Sequence, residues 1–132
     1  MIEQHLRDWV ISDPAIAADI GTRFYPQFAP DGSPVPAVVY SLISDQATLI
    51  MTGVAGVRNP RVQLTIVADT QMEVSALAEK LKFRINTWNA AYPDMYVNTC
   101  FAEGGVYLSL DYYTPPKNGM IIEAFLNWNP IP

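Results

Sequence analysis

Little in this chain offers chemistry. Among 132 residues there is one cysteine, one histidine and only 16% charged side chains. A single cysteine, Cys100, excludes an intramolecular disulfide. A single histidine, His5, leaves no His or Cys partner at the spacing a metal site or a catalytic triad needs. Uncharged stretches such as that between Asp45 and Arg58 are short and broken by glycines, so none spans a membrane as a helix. The N-terminus, Ile2-Glu3-Gln4-His5-Leu6-Arg7-Asp8, has acidic residues where a secretory signal has a basic segment and an apolar core, which points to folding in a cytoplasm. Positive charge is also scarce. Eight Lys and Arg against thirteen Asp and Glu give a formal net charge of −5, and the basic residues are scattered, so broad phosphate neutralisation of nucleic acid is excluded.

What is plentiful is apolar surface. Half the residues are hydrophobic and the mean hydropathy is +0.10, too apolar and too weakly charged for disorder. At 14.7 kDa the chain is the size of one domain. Scaling predicts roughly 7,000 Å² of folded surface against about 21,000 Å² unfolded, enough burial for a core without metals or disulfides.

Apolar Ile2, Leu6, Trp9 and Val10 recur at helical spacing and predict a first short helix. Asp13-Pro14 places a side-chain cap before a proline suited to a first turn, and Gly21 supplies the exit of a second helix. Prolines 26, 30, 34 and 36 with Gly32 make 23–36 a surface connection in which no regular pairing is expected. Ala37–Ser44 is β-branched and aromatic and reads as a strand. Residues 46–60, with Leu49-Ile50-Met51 and then Gly53 and Gly56, read as a long hairpin or arm with a glycine turn. Arg61–Ala68 alternates: Val62, Leu64, Ile66 and Ala68 share one face, and Arg61, Gln63 and Thr65 the other.

Thr70-Gln-Met-Glu73 matches a capping box and opens the main helix, expected from Gln71 to Trp88. Its Glu79, Lys80, Lys82 and Arg84 read as a solvated face. Three strand-like runs follow: Tyr96–Glu103, Val106–Tyr113 and Met120–Asn129, with Thr114–Gly119 as a hairpin turn. Expected inward residues are Val106, Leu108, Leu110 and Tyr112 with Met120, Ile122, Ala124, Leu126 and Trp128. The second face, with Tyr107, Tyr113, Ile121 and Phe125, is greasy for a solvated surface. Either another subunit or helices on both sides must cover it. The expected class is α+β: a mainly antiparallel sheet of four to five strands packed on one long helix, with short N-terminal helices, in a single domain over 1–132.

The candidate chemistry is thin. Cys100 sits in an apolar run without a basic neighbour and reads as a buried structural thiol. Gly53-Val-Ala-Gly56 lacks the lysine and hydroxyl of a phosphate loop. Asp8, Asp13, Asp19 and Asp31 lie in capping or turn contexts, and Asp111 with Glu123 across a hairpin is weak grounds for acid–base work. No catalytic, cofactor-binding or metal-ligating residue is assigned, and no cofactor is expected.

The segment from Arg23-Phe-Tyr-Pro26 through Ala29-Pro-Asp-Gly32 to Pro36-Ala-Val-Val-Tyr40 resembles the signature opening of the tail-completion (tail terminator) proteins of long-tailed bacteriophages. Leu6–Gly21 with Asp13-Pro14-Ala15 before it is similar to the family's leading helices. Thr52-Gly-Val-Ala-Gly56, Arg61-Val-Gln-Leu-Thr-Ile66 and Ala76-Leu-Ala-Glu-Lys-Leu81 after it resemble the family's glycine turn, strand and alanine-rich helix, in order. The resemblance covers about residues 4 to 88; the C-terminal third carries no matching motif. It implies a structural, non-enzymatic virion-assembly protein of siphovirus-like tails. Such a subunit forms a ring, usually of six, on the head-proximal end of the tail tube, stops tube polymerisation and offers the head–tail joining interface.

The implied partners are further copies of itself, the tail tube protein and a head-completion or connector protein. Neither a membrane nor sequence-specific nucleic acid is among them, though DNA passes through the ring. The implied location is the host cytoplasm during assembly and then the head–tail junction of the virion. On this reading Leu49, Ile50 and Met51 of the arm reach a neighbour or the tube, or else fold back onto the subunit's own core. Arg58 and Arg61 pair with acidic tube residues, face the DNA, or are ordinary surface charges, and Tyr107, Tyr113, Ile121 and Phe125 supply a subunit patch. A head-closure adaptor, or a small ligand-binding α+β domain, remains the alternative.

Overall fold

The structure is a computed structural model that describes residues 2–27, 34–50, 53–98, 100–110 and 116–130. Along them run α1 (Ile2–Ile11), α2 (Pro14–Ile20), β1 (Phe24–Pro26), β2 (Ala37–Ile50), β3 (Gly53–Ala68) and α3 (Gln71–Asn86), then β4 (Ala90–Ala91), β5 (Met95–Val97), β6 (Phe101–Leu110), β7 (Lys117–Phe125) and β8 (Trp128–Pro130). The class is α+β, but the expected sheet of four to five antiparallel strands is corrected to a mixed one, of eight strands among the described residues. One path runs β1-β2-β3-β8-β5-β4, and a branch leaves β3 through β7 to β6. The helical layer is shared by helices of 10, 7 and 16 residues rather than carried by one.

The helix ends form for the reasons the sequence offers. Asp13 accepts a bond from the Ala15 amide at 3.0 Å with Pro14 opening α2, and Gly21 leaves that helix at φ 58°. Thr70 Oγ1 accepts from the Glu73 amide at 3.2 Å and caps α3. That helix ends at Asn86, and Trp88, two residues on, is still fully buried.

The proline-rich connection does pair, contrary to expectation. Phe24–Pro26 runs parallel to Val38–Tyr40, framed by Val38 N–H to Arg23 O and Gln27 N–H to Tyr40 O. Pro26 is tolerated because it sits last in a short edge strand. The 46–60 arm is an antiparallel ladder of β2 with β3, from Ser44↔Arg61 out to Ile50↔Gly53 with a register shift between Ala47 and Leu49, and the expected glycine turn at Gly53–Gly56 belongs to β3 instead. Met51 and Thr52 lie outside the described residues.

One cluster holds the core. Val62, Leu64, Ile66 and Ala68 of β3 meet Ile122 and Ala124 of β7, Val74, Leu77, Ala78, Leu81 and Ile85 of α3, and Ile2, Leu6 and Val10 of α1. Each such large aliphatic side chain contributes about 1.5–3 kcal/mol by leaving water. The expected solvated face of α3 is partly overturned. Lys80 reaches Asp19 of α2 at 2.7 Å, and the Arg84 guanidinium lies 3.6 Å over the Trp9 ring while donating to Trp9 O and Ser12 Oγ. Long cationic side chains are thus the struts that hold α1 and α2 to α3.

The C-terminal strands depart most from expectation. The predicted Tyr96–Glu103 strand is divided between β5 and β6, and Met120–Asn129 between β7 and β8. Val106 does not start a new strand but continues β6 after a register shift between Glu103 and Val106. Gly104 and Gly105 stand at that bulge with φ of 89° and 156°. Because a one-residue shift sends every later side chain to the other face, Val106, Leu108 and Leu110 pair with Ile121, Gly119 and Lys117 rather than with the core-facing residues. Tyr107 instead sits opposite Met120, on the helix side. The expected inward set therefore holds for Met120, Ile122, Ala124 and Leu126, which are buried, and fails for Val106, which is 61% exposed. Lys117, Asn118 and Gly119, assigned to a turn, form the start of β7. Tyr112 and Tyr113 lie outside the described residues.

Candidate functional site

Two faces of the same sheet differ sharply. All three helices contribute to the core cluster on one face, and among the described residues none of the opposite face belongs to that cluster. The opposite face of β2, β3, β7 and β6 carries Val39, Ser41, Gln63, Thr65, Arg61, Ile121, Glu123, Phe125, Phe101 and Val106, all half-buried or exposed.

At one end of this face Arg61 donates to Glu123 through Nε at 3.1 Å and through Nη2 at 2.6 Å and 2.7 Å. The bond to Glu123, and then the carboxylate's charge, push the Arg61 guanidinium further up from its already high value. Arg61 also lies 5.5 Å over the Phe125 ring, which stacks on Phe101 with centroids 4.9 Å apart. The result is a half-exposed strip of charge pair and aromatic pair running across β3, β7 and β6. At the other end Ala37, Val67, Gly119 and Leu110 are buried outside the main cluster, and Leu110 packs tightly on Gly119.

The sequence-predicted residues divide accordingly. Ile121 and Phe125 share the helix-free face with Arg61, while Tyr107 is turned to the helix side and 48% exposed. Glu123, paired in sequence with Asp111, is bound to Arg61 instead; Asp111 and Tyr113 lie outside the described residues. Leu49 and Ile50 pair with Val54 and Gly53 at the far end of the β2–β3 hairpin, and Met51 lies outside the described residues. Arg58 sits opposite Trp128, where β8 joins β3.

Sequence reasoning missed how fully the cations are used. Arg7 donates to Phe24 O and Thr22 O, Arg23 to Pro36 O and Asp19 O, and Lys117 to Asp69. Lys82 lies 3.6 Å from Glu79, and Arg58 too has a partner. Arg23, in the segment that carries the family resemblance, thereby ties the end of α2 to the start of β2. Each of these cations has a partner within the subunit.

His5 Nε2 donates to Asp94 Oδ1 at 3.0 Å, and the imidazole stacks on Tyr92 with centroids 4.1 Å apart. Desolvation pushes the Asp94 carboxyl up, but hydrogen bonds from His5 and from its own backbone outweigh it and leave the group lowered. Cys100 is buried, and desolvation pushes its thiol up to about 11 despite an opposing backbone hydrogen bond from Asn127. That is the environment of an inert thiol. Among the described residues no three His, Cys, Asp or Glu side chains are grouped to hold a metal. An open cleft of about 500 Å³ lies between α1, the end of β1 and β2, lined by Arg7, Gln27, Tyr40, Ser41 and Leu42 among others.

The family described as Tail completion protein gp17 matches residues 4–103, from α1 into β6. The chain belongs to this family. The match extends past the motifs read from sequence, as far as the Gly104–Gly105 bulge. A chain in the solved structure titled "Virion of native gene transfer agent (GTA) particle" has the same fold, with a TM-score of 0.60 at 14% identity, covering 92% of this chain and 91% of that one. No curated protein matches the sequence. Family membership makes the protein a structural component of a phage-type tail.

Proposed function

We propose that the protein closes the head-proximal end of the tail tube as a ring of subunits, six by the family resemblance, and so stops tube polymerisation and presents the joining surface to the head connector. The observation that carries this reading is the family match over 4–103, joined to a sheet whose helix-free face leaves Ile121, Phe125, Phe101 and Val106 half-buried or exposed among polar residues. A ring built head to tail requires two different complementary patches on each subunit. The helix-free face around Ile121 and Phe125 supplies one, and the β2–β3 hairpin with Leu49, Ile50 and Met51 reaches a neighbour or the tube. The partners are other copies, the tube protein and a connector protein; assembly takes place in the host cytoplasm, and the finished location is the head–tail junction.

Tube polymerisation in the presence of the purified protein tests this. Tubes of defined length with the protein at one end are expected. Tubes that lengthen without limit, or carry no protein at their ends, would overturn the reading and favour a connector-side adaptor. Ile50→Asp with Met51→Asp is expected to abolish end-binding while leaving the far-ultraviolet circular dichroism unchanged. Unaltered end-binding would remove the hairpin from the account.

A further inference from the structure

At the Phe101 end of the helix-free face the charges do not balance. Glu103 of β6 stands directly opposite Glu123 of β7, and like charges in that position destabilise a sheet. Arg61 answers only one of the two carboxylates: it holds Glu123 through Nε and Nη2 and acts on Glu103 only through space. Glu103 is exposed, and among the described residues no ion pair or hydrogen bond engages its side chain.

Two residues back along the same strand, about 7 Å away, comes an apolar feature. Phe101 is 49% exposed and stacks on Phe125. Beside the two rings lies a cleft of about 430 Å³ lined by Asn59, Pro60, Phe101, Phe125, Leu126 and Asn127. Asn127 Nδ2 already donates to Asn59 Oδ1, so what the cleft offers is chiefly apolar surface. A carboxylate without a cation and an apolar cleft therefore sit one side-chain repeat apart.

Charge selects the occupant. A second copy brings a net charge of −5, and each of its eight Lys and Arg is already engaged inside its own subunit. Arg7 and Arg23 hold main-chain carbonyls, Lys80, Lys82 and Lys117 hold carboxylates, Arg84 holds Trp9 and Ser12, Arg61 holds Glu123, and Arg58 too has a partner. Turning one of them onto Glu103 would break an existing bond. The fitting cation comes from a different protein. An extended segment supplies it, because side chains on one of its faces recur every second residue, so an apolar residue in the cleft brings the residue two positions away over Glu103.

We propose that this end of the helix-free face binds an extended segment of another protein, seating an apolar side chain in the cleft beside Phe101 and, two positions away, a Lys or Arg on Glu103. For the partner's identity as a tube or connector component this rests on the proposed function, and it leaves the Ile121 side of the face to the ring. The Glu103–Glu123 pair is then a local misfit kept for binding, of the kind that folding alone would remove.

The test is selection of random linear peptides, displayed as a library, on the immobilised full chain, with Glu103→Lys and Phe101→Ala alongside. The wild type is expected to enrich sequences with an apolar residue and a Lys or Arg two positions apart. Enriched peptides are expected to bind either variant about tenfold more weakly or worse in fluorescence anisotropy, and to weaken as salt rises. Glu103→Lys is expected to unfold about 1–4 °C higher than the wild type, because a lysine then faces Glu123, so its lost binding is not lost folding. Peptides enriched without a basic residue, enrichment unchanged in Glu103→Lys, or no enrichment at all would overturn the proposal. Oligomers lost in Glu103→Lys by native mass spectrometry, with no peptide that depends on Glu103, would overturn it in favour of a contact between copies. Peptides that depend on Glu103, from a chain that forms no ring and binds no tube end, would support the site and overturn the ring reading instead.

Discussion

The two faces of β3 and β7 are built from alternate residues of the same strands, yet they behave as different materials. On one, Val62, Leu64, Ile66 and Ala68 with Ile122 and Ala124 are wholly buried under three helices. On the other, Arg61 and Glu123 pair beside the stacked rings of Phe101 and Phe125, with Thr65 and Ile121 alongside, half in water. The first face spends its apolar area on folding. The second holds apolar and aromatic area that folding does not use, which a subunit designed for assembly retains.

The sharpest way to break this comparison is to truncate one residue on each side. Leu64→Ala is expected to cost about 2–5 kcal/mol in denaturant unfolding. Ile121→Ala, its diagonal neighbour across the sheet on the other face, is expected to cost about 1 kcal/mol. Equal losses would mean that the helix-free face is a second core.

A smaller effect is expected at the one tightly packed end of that face. A Cβ on Gly119 would stand 2.8 Å from Leu110 Cδ1 and 3.1 Å from Ile66 O, so Gly119→Ala is expected to destabilise by about 1–3 kcal/mol. Unchanged stability would show that β6 and β7 shift freely there.

The smallest effect belongs to the rim of the helical side. Asp94 is lowered in the folded state, so its contribution is present above the ordinary aspartate range and lost as pH falls through the folded value. The stability gap between the wild type and Asp94→Asn is expected to close below about pH 4. A gap constant from pH 7 to pH 3 would deny the His5–Asp94 bond any role.

Much of the helical side was legible in the residues. Alternation in Arg61–Ala68 told which side chains face the core, and the Asp13 and Thr70 caps marked where helices begin, because these signals are local. The helix-free side was not, because it depends on register. Gly104-Gly105 was the visible cue that β6 bulges, and without reading it Val106, Leu108 and Leu110 fall on the wrong face. Phe24–Pro26 was missed because parallel pairing to β2 is a long-range event that proline content argues against. Lys80 and Arg84 were placed on the right helix face, but a helical wheel does not say which neighbour packs there.

The most direct test of the central claim, that the area left over from folding is spent on assembly, is native mass spectrometry of the purified chain across a wide concentration range. A six-subunit species that dominates at high concentration is the predicted result. A monomer at every concentration, with no binding to tube ends, would contradict it.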